Sequence, residues 1–110
     1  MADPNDWVKA KSVQKLKELQ PELFAKFIEF EQAVYRPGSL STKIKELIAV
    51  GVTHVTQCDA CIAMHTRNAK LAGATDEEIA EAVFVAIELR AGAAIGHFKS
   101  AAHVLDTHRE

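Results

Sequence analysis

The sequence predicts an all-α fold, and three observations carry that reading. Between its three prolines and five glycines, apolar residues recur at intervals of three and four, the spacing of a helix face. No segment alternates apolar and polar residues as a half-buried strand does. "VFVAI" at 83–87 is the one β-flavoured run, and the capping-box pattern Thr75-x-x-Glu78 just upstream makes helix the better reading there. Frequent alanines suit helices that pack closely, within the chain or between subunits.

The elements follow in order. "WVKAKSVQKLKEL" at 7–19 is a first helix with Val13, Leu16 and Leu19 on its apolar side, lysines as a solvated face and Trp7 as its anchor. Gln20-Pro21 interrupts it, because a residue before proline avoids the α region. Pro21 then suits the first turn of "PELFAKFIEFEQAVY", whose apolar face holds Leu23, Phe24, Phe27, Phe30 and Val34. "RPGSL" is a loop, with Tyr35 and Arg36 beside it lining a cleft or closing the loop. Ser41 is the N-cap of "TKIKELIAVGVTHV", where Ile44, Leu47, Ile48, Gly51 and Val55 share a face and Gly51 lets another helix approach. "TQC" is a short turn. The next helix starts near Cys58 and ends at Gly73. A further helix opens at Thr75, with Ile79, Val83, Ala86, Ile87 and Arg90 down one side. In the last segment, "AGAAIGHFKSAAHVLDTH", Gly92 and Gly96 are expected to break or kink the helix, or to mark tight packing.

A length of 110 residues suits one domain, 1–110, and 48% apolar residues suffice for a packed core. A net charge of −2 argues against a nucleic-acid or membrane-surface binder, which needs a basic face. No apolar run approaches the ~18 residues that span a bilayer. The polar start "MADPNDWVKAKSVQKL" has no apolar signal region, so the expected compartment is the cytoplasm. Two nearby cysteines are there more often catalytic or metal-binding than a structural staple.

Both cysteines lie in "CDACIAMHTRNAK". At ~100° per residue, Cys58, Cys61 and His65 fall within ~60° of one another and line one helical stripe. His65 leans back over Cys61, one turn before it. Cys58 sits at the helix start, where unpaired backbone N–H groups favour a thiolate. Glu46 joins them if a tight hairpin turns near Val55–Thr56, since Glu46 and His65 lie equally far on either side of it. A carboxylate there would orient the imidazole. In one continuous helix Glu46 and Cys58 would be ~18 Å apart, so the arrangement requires the turn. Three readings are open: a redox dithiol with a proton carrier, a zinc site of two sulfurs, a nitrogen and an oxygen, or two small buried hydrophobes. His54 is read as a packing or solvent histidine on a face similar to that of Glu46. His97, His103 and His108 are read as exposed.

Residues 35–83, "YRPGSLSTKIKELIAVGVTHVTQCDACIAMHTRNAKLAGATDEEIAEAV", resemble the alkylhydroperoxidase D-like branch of the carboxymuconolactone decarboxylase superfamily. The marker is a glutamate, eleven residues, C-x-x-C, three residues and a histidine: Glu46, Cys58, Cys61 and His65. The likeness extends over about 19–100. It implies an all-α chain assembled into homo-trimers or hexamers. It implies reduction of a small-molecule hydroperoxide by a thiol pair, re-reduced by a dithiol partner, with no metal or organic cofactor. Carried onto this sequence, Cys61 attacks peroxide and Cys58 resolves, while Glu46 and His65 move protons. The helix-start position favours Cys58 as the more acidic thiol, and the neighbouring His65 favours Cys61. The founding member of the branch has a histidine immediately before its second cysteine, where this chain has Ala60. The lactone-decarboxylating branch generally lacks the cysteine pair. Action on a small lactone or carboxylic acid is therefore the alternative, together with a non-catalytic metal-binding oligomer.

Overall fold

The computed structural model describes residues 6–108, and these are helical almost throughout. A short 3-10 helix, Asp6–Lys9, precedes five α-helices: α1 (Lys11–Leu19), α2 (Pro21–Tyr35), α3 (Thr42–Thr56), α4 (Asp59–Leu71) and α5 (Asp76–Thr107). There is no strand among the described residues, as the sequence predicts.

Local chemistry sets most boundaries. Pro21 occupies the first turn of α2. Ser41 caps α3, its Oγ accepting from the Ile44 N–H at 3.2 Å. The capping box at α5 is complete: Thr75 Oγ1 accepts from the Glu78 N–H at 3.1 Å, and Glu78 Oε1 accepts from the Thr75 N–H at 2.9 Å. Gly73 follows the α4 C-cap at φ 97°, a left-handed conformation that costs glycine little.

The first helix departs from expectation. The 7–19 segment is divided at Ala10, whose extended backbone (ψ 141°) separates the 3-10 turn from α1. The division lets Trp7 fold back on α2, with ring centroids 6.4 Å from Phe24 and 6.3 Å from Phe27. The last helix departs in the other direction. α5 runs unbroken for 32 residues through Gly92 and Gly96. Neither glycine marks tight packing within the chain: a Cβ at Gly96 would meet nothing within 4 Å, and one at Gly92 only the Glu88 carboxylate.

Helix α3 is the centre, packed along both α4 and α5, with α2 against it more lightly and α1 on α2. The core is small. Val50, Ala69 and Ala74 are buried, and Leu47, Ile79, Ala82 and Val83 pack around them. Gly51 has the role expected of it: a Cβ there would stand 3.3 Å from the Ala82 carbonyl of α5. Arg90 Nη1 reaches the Val55 carbonyl at 3.3 Å and ties α5 to the end of α3, whereas Ile87 is half exposed rather than part of the same buried side.

Candidate active site

A tight reversal between α3 and α4 builds the site. Gln57 takes the left-handed conformation (φ 60°, ψ 42°) at the end of α3, and Cys58 immediately caps α4. The two helices run back along each other, and Glu46 and His65 come level. His65 Nδ1 lies 2.8 Å from Glu46 Oε2, with both side chains buried. A carboxylate accepts, so Nδ1 donates in this contact and Nε2 is the ring nitrogen left for other chemistry. The carboxylate thus fixes both the tautomer and the orientation of the ring.

Cys58 and Cys61 are free thiols, their sulfurs 2.6 Å apart. Either sulfur can donate in that contact, but the Cys61 backbone N–H also points at Cys58 Sγ, 3.4 Å away. Negative charge is therefore better held on Cys58. Its thiol is lowered from the ordinary cysteine range, first by the hydrogen bond from Cys61 and then by backbone N–H groups at the helix start. Cys61 is raised, first by giving its hydrogen to Cys58 and then by burial. The Asp59 carboxylate opposes the thiolate at Cys58, but more weakly than the hydrogen bonds favour it.

Cys61 and His65 border a cavity of about 550 Å³, lined also by Met64 of the same helix and by Trp7, Glu31 and Tyr35 among others. Cys58 is not part of its lining. The Tyr35 and His65 rings lie 5.4 Å apart, so Tyr35 lines a cleft as well as ending α2. Burial raises the Tyr35 phenol, and the negative charges of Glu46, Glu31 and Cys61 raise it further. Glu31 escaped sequence reasoning. It shares the cavity wall with Tyr35, and burial holds its carboxyl above the usual range against an opposing pull from His65. Its only sequence signal is its place one helical turn before Tyr35. A second cavity of about 470 Å³ also borders Glu31 and Tyr35 and reaches Arg36, Glu46 and Asn68.

The other histidines stay apart. His54 Nδ1 meets the Val50 carbonyl of its own helix at 2.7 Å, and His97, His103 and His108 are exposed. Among the described residues no group of three His, Cys, Asp or Glu side chains is placed to hold a metal ion. Nor is any described helix long and apolar enough to cross a membrane.

The model of the carboxymuconolactone decarboxylase family matches residues 21–103, which include Glu46, Cys58, Cys61 and His65. The chain belongs to the carboxymuconolactone decarboxylase family. Protein 4 of the cox locus of Paracoccus denitrificans is 49% identical over 80 residues, covering 73% of this chain and 72% of that protein. Among solved structures, a Methanobacterium thermoautotrophicum protein superposes with a TM-score of 0.73 at 37% identity, over 78% of this chain and 97% of the other. A Thermotoga maritima protein superposes with a TM-score of 0.58 at 37% identity, over 76% and 86% of the two chains. That protein is described as a carboxymuconolactone decarboxylase family protein with a possible part in an antioxidative response. The family's all-α fold is thus the fold of this chain.

Proposed function

We propose that this family member is a thiol-dependent peroxidase that reduces small hydroperoxides through Cys61 and Cys58. The observation that carries the reading is the pair of sulfurs 2.6 Å apart with only Cys61 on the cavity, beside a histidine oriented by a buried glutamate. The possible antioxidative role of the Thermotoga maritima relative supports it.

In this reading Cys61 gives its proton to Nε2 of His65, and the thiolate attacks the distal oxygen of the hydroperoxide. The O–O bond breaks, Cys61 becomes a sulfenic acid, and the alkoxide leaves as an alcohol once protonated. Cys58, held toward the thiolate, attacks the sulfenic sulfur and water departs. The disulfide is reopened by exchange with a dithiol partner, which meets Cys58, the sulfur outside the cavity. The set acts without a resident metal or organic cofactor, in a reducing compartment such as the cytoplasm, within a homo-oligomer.

The test is the intact mass and thiol count of the reduced protein before and after one equivalent of an organic hydroperoxide at about pH 7. Loss of two hydrogens and of both thiols is the expected result, and unreacted thiols would sink the reading. Cys58→Ser should still consume one peroxide and stop as the sulfenic acid, whereas Cys61→Ser should not react. The reverse pattern would exchange the two roles. A lactone-directed activity in the same cavity would survive in the variant lacking both cysteines.

A further inference from the structure

Attack on a peroxide is an in-line displacement: sulfur, attacked oxygen and leaving oxygen are close to collinear. The leaving oxygen therefore ends on the side of the cavity opposite the sulfur. Cys61 and His65 stand together on α4, along with Ala60, which has nothing to donate. Away from α4 the lining comes from α2, through Phe27, Glu31 and Tyr35, and from the N-terminal elements, through Trp7, Ala10, Ser12 and Val13; of these side chains only Glu31 carries a carboxyl. An alkoxide is a strong base, and its departure is slow unless a proton reaches it as the bond breaks.

We propose that Glu31 is the acid that protonates the departing alkoxide, a role that rests on the peroxidase reading above. The step balances. The Cys61 thiolate forms the S–O bond, the O–O bond breaks, and the electron pair leaves on the alkoxide oxygen. That oxygen takes the Glu31 proton, giving alcohol, Cys61 sulfenic acid and Glu31 carboxylate. Glu31 is half-buried, so water can return the proton between turnovers.

Three features favour Glu31 over its neighbours. Burial, with the Glu46 charge nearby, keeps its carboxyl protonated to higher pH than an ordinary glutamate, although His65 opposes this. Tyr35, the other acid on that wall, is a phenol raised further by its surroundings and is the poorer proton donor. His65 shares the helix of the nucleophile and is held there by Glu46.

The test compares two oxidants of similar shape on the reduced full chain, reading thiol loss in a single turnover. Cumene hydroperoxide expels a basic alkoxide that needs a proton, whereas perbenzoic acid expels a carboxylate that does not. Glu31→Gln keeps the shape of the side chain and removes the acid. It should slow the reaction with cumene hydroperoxide about 100-fold and leave perbenzoic acid within about threefold, the range general acid catalysis provides. Equal slowing with both oxidants, or none with either, overturns the proposal. Glu31→Asp, which withdraws the acid by one methylene, is the second variant and guards against a folding defect in the first. It should lose less than Glu31→Gln toward cumene hydroperoxide and nothing toward perbenzoic acid, and equal slowing overturns the proposal there as well. Wild-type protein inert to both oxidants would instead overturn the peroxidase reading on which the role of Glu31 rests.

Discussion

Cys58 and Cys61 are the same residue type one helical turn apart, and their surroundings separate them. Cys58 collects hydrogen bonds that favour its thiolate, while Cys61 faces the cavity and keeps its proton. Cys58 should therefore alkylate as a thiolate at lower pH than free cysteine. Cys61→Ala removes the first of those hydrogen bonds, so the Cys58 titration midpoint should move upward. Iodoacetamide rates across pH report both midpoints, and an unmoved midpoint would show that Cys61 does not hold the Cys58 thiolate. The buried Glu46–His65 pair carries a second prediction. His65→Ala leaves the buried Glu46 side chain without its partner, and a buried polar group left unsatisfied costs about 1–3 kcal/mol. Removing Glu46 as well should return part of that loss. A urea double-mutant cycle should give a coupling of at least about 1 kcal/mol, and additive losses would mean the pair contributes no mutual stabilisation. This pairing was legible in the sequence because it depends on a residue count either side of one turn. Glu31 and Trp7 reach the cavity from other elements. Their place depends on how α2 meets α3 and on the extended Ala10, which no local spacing encodes.

At the scale of elements, legibility follows range. Caps at Ser41 and Thr75, the proline opening α2 and the glycine closing α4 act within one turn, and each is where the sequence puts it. The continuity of α5 was not legible. A glycine in a helix interior costs only about 1 kcal/mol, too little at Gly92 or Gly96 to stop a helix of 32 residues. The α3–α4 reversal bears the whole site on one non-glycine residue in the left-handed region, Gln57. Gln57→Gly should relieve about 1 kcal/mol of that strain without moving the site, so the thermal midpoint should rise while the thiol chemistry stays the same. A fall in the midpoint would mean that the Gln57 side chain contributes more than its backbone conformation costs. Gly51 tests the neighbouring contact. Val at 51 would press a branched side chain on the Ala82 carbonyl, itself fixed in a helix, and should lower stability by about 2 kcal/mol. Unchanged stability would mean that α3 and α5 separate freely there.

The whole molecule is more open than a compact chain of its length. Its radius of gyration is 18.9 Å, where a compact chain of this length has about 13 Å. It exposes 8190 Å², where a compact chain exposes about 6,000 Å². The surplus, about 2,000 Å², exceeds the roughly 800 Å² that one partner contributes to an ordinary interface. Much of it is apolar. Along the last half of α5, Ile95, Phe98, Val104 and Leu105 are exposed, Ile95 at 76%. An apolar groove of about 380 Å³ between α3 and α5 adds Ile48, Val52, Val85 and Leu89. Second and third copies of this chain are the occupants that the family resemblance implies, and a surplus larger than one interface suits a protomer with two neighbours. Sedimentation should therefore give a trimer or hexamer for the wild type. Ile95→Glu with Phe98→Glu places two charges on a face that the assembly would desolvate, which should shift the protein to smaller species at micromolar concentration. The protomer should lose stability with assembly, since its own core is built on little more than Val50, Ala69 and Ala74. A wild type that sediments as a monomer, or a double variant that assembles as the wild type does, would mean that this stretch of α5 is not a subunit contact.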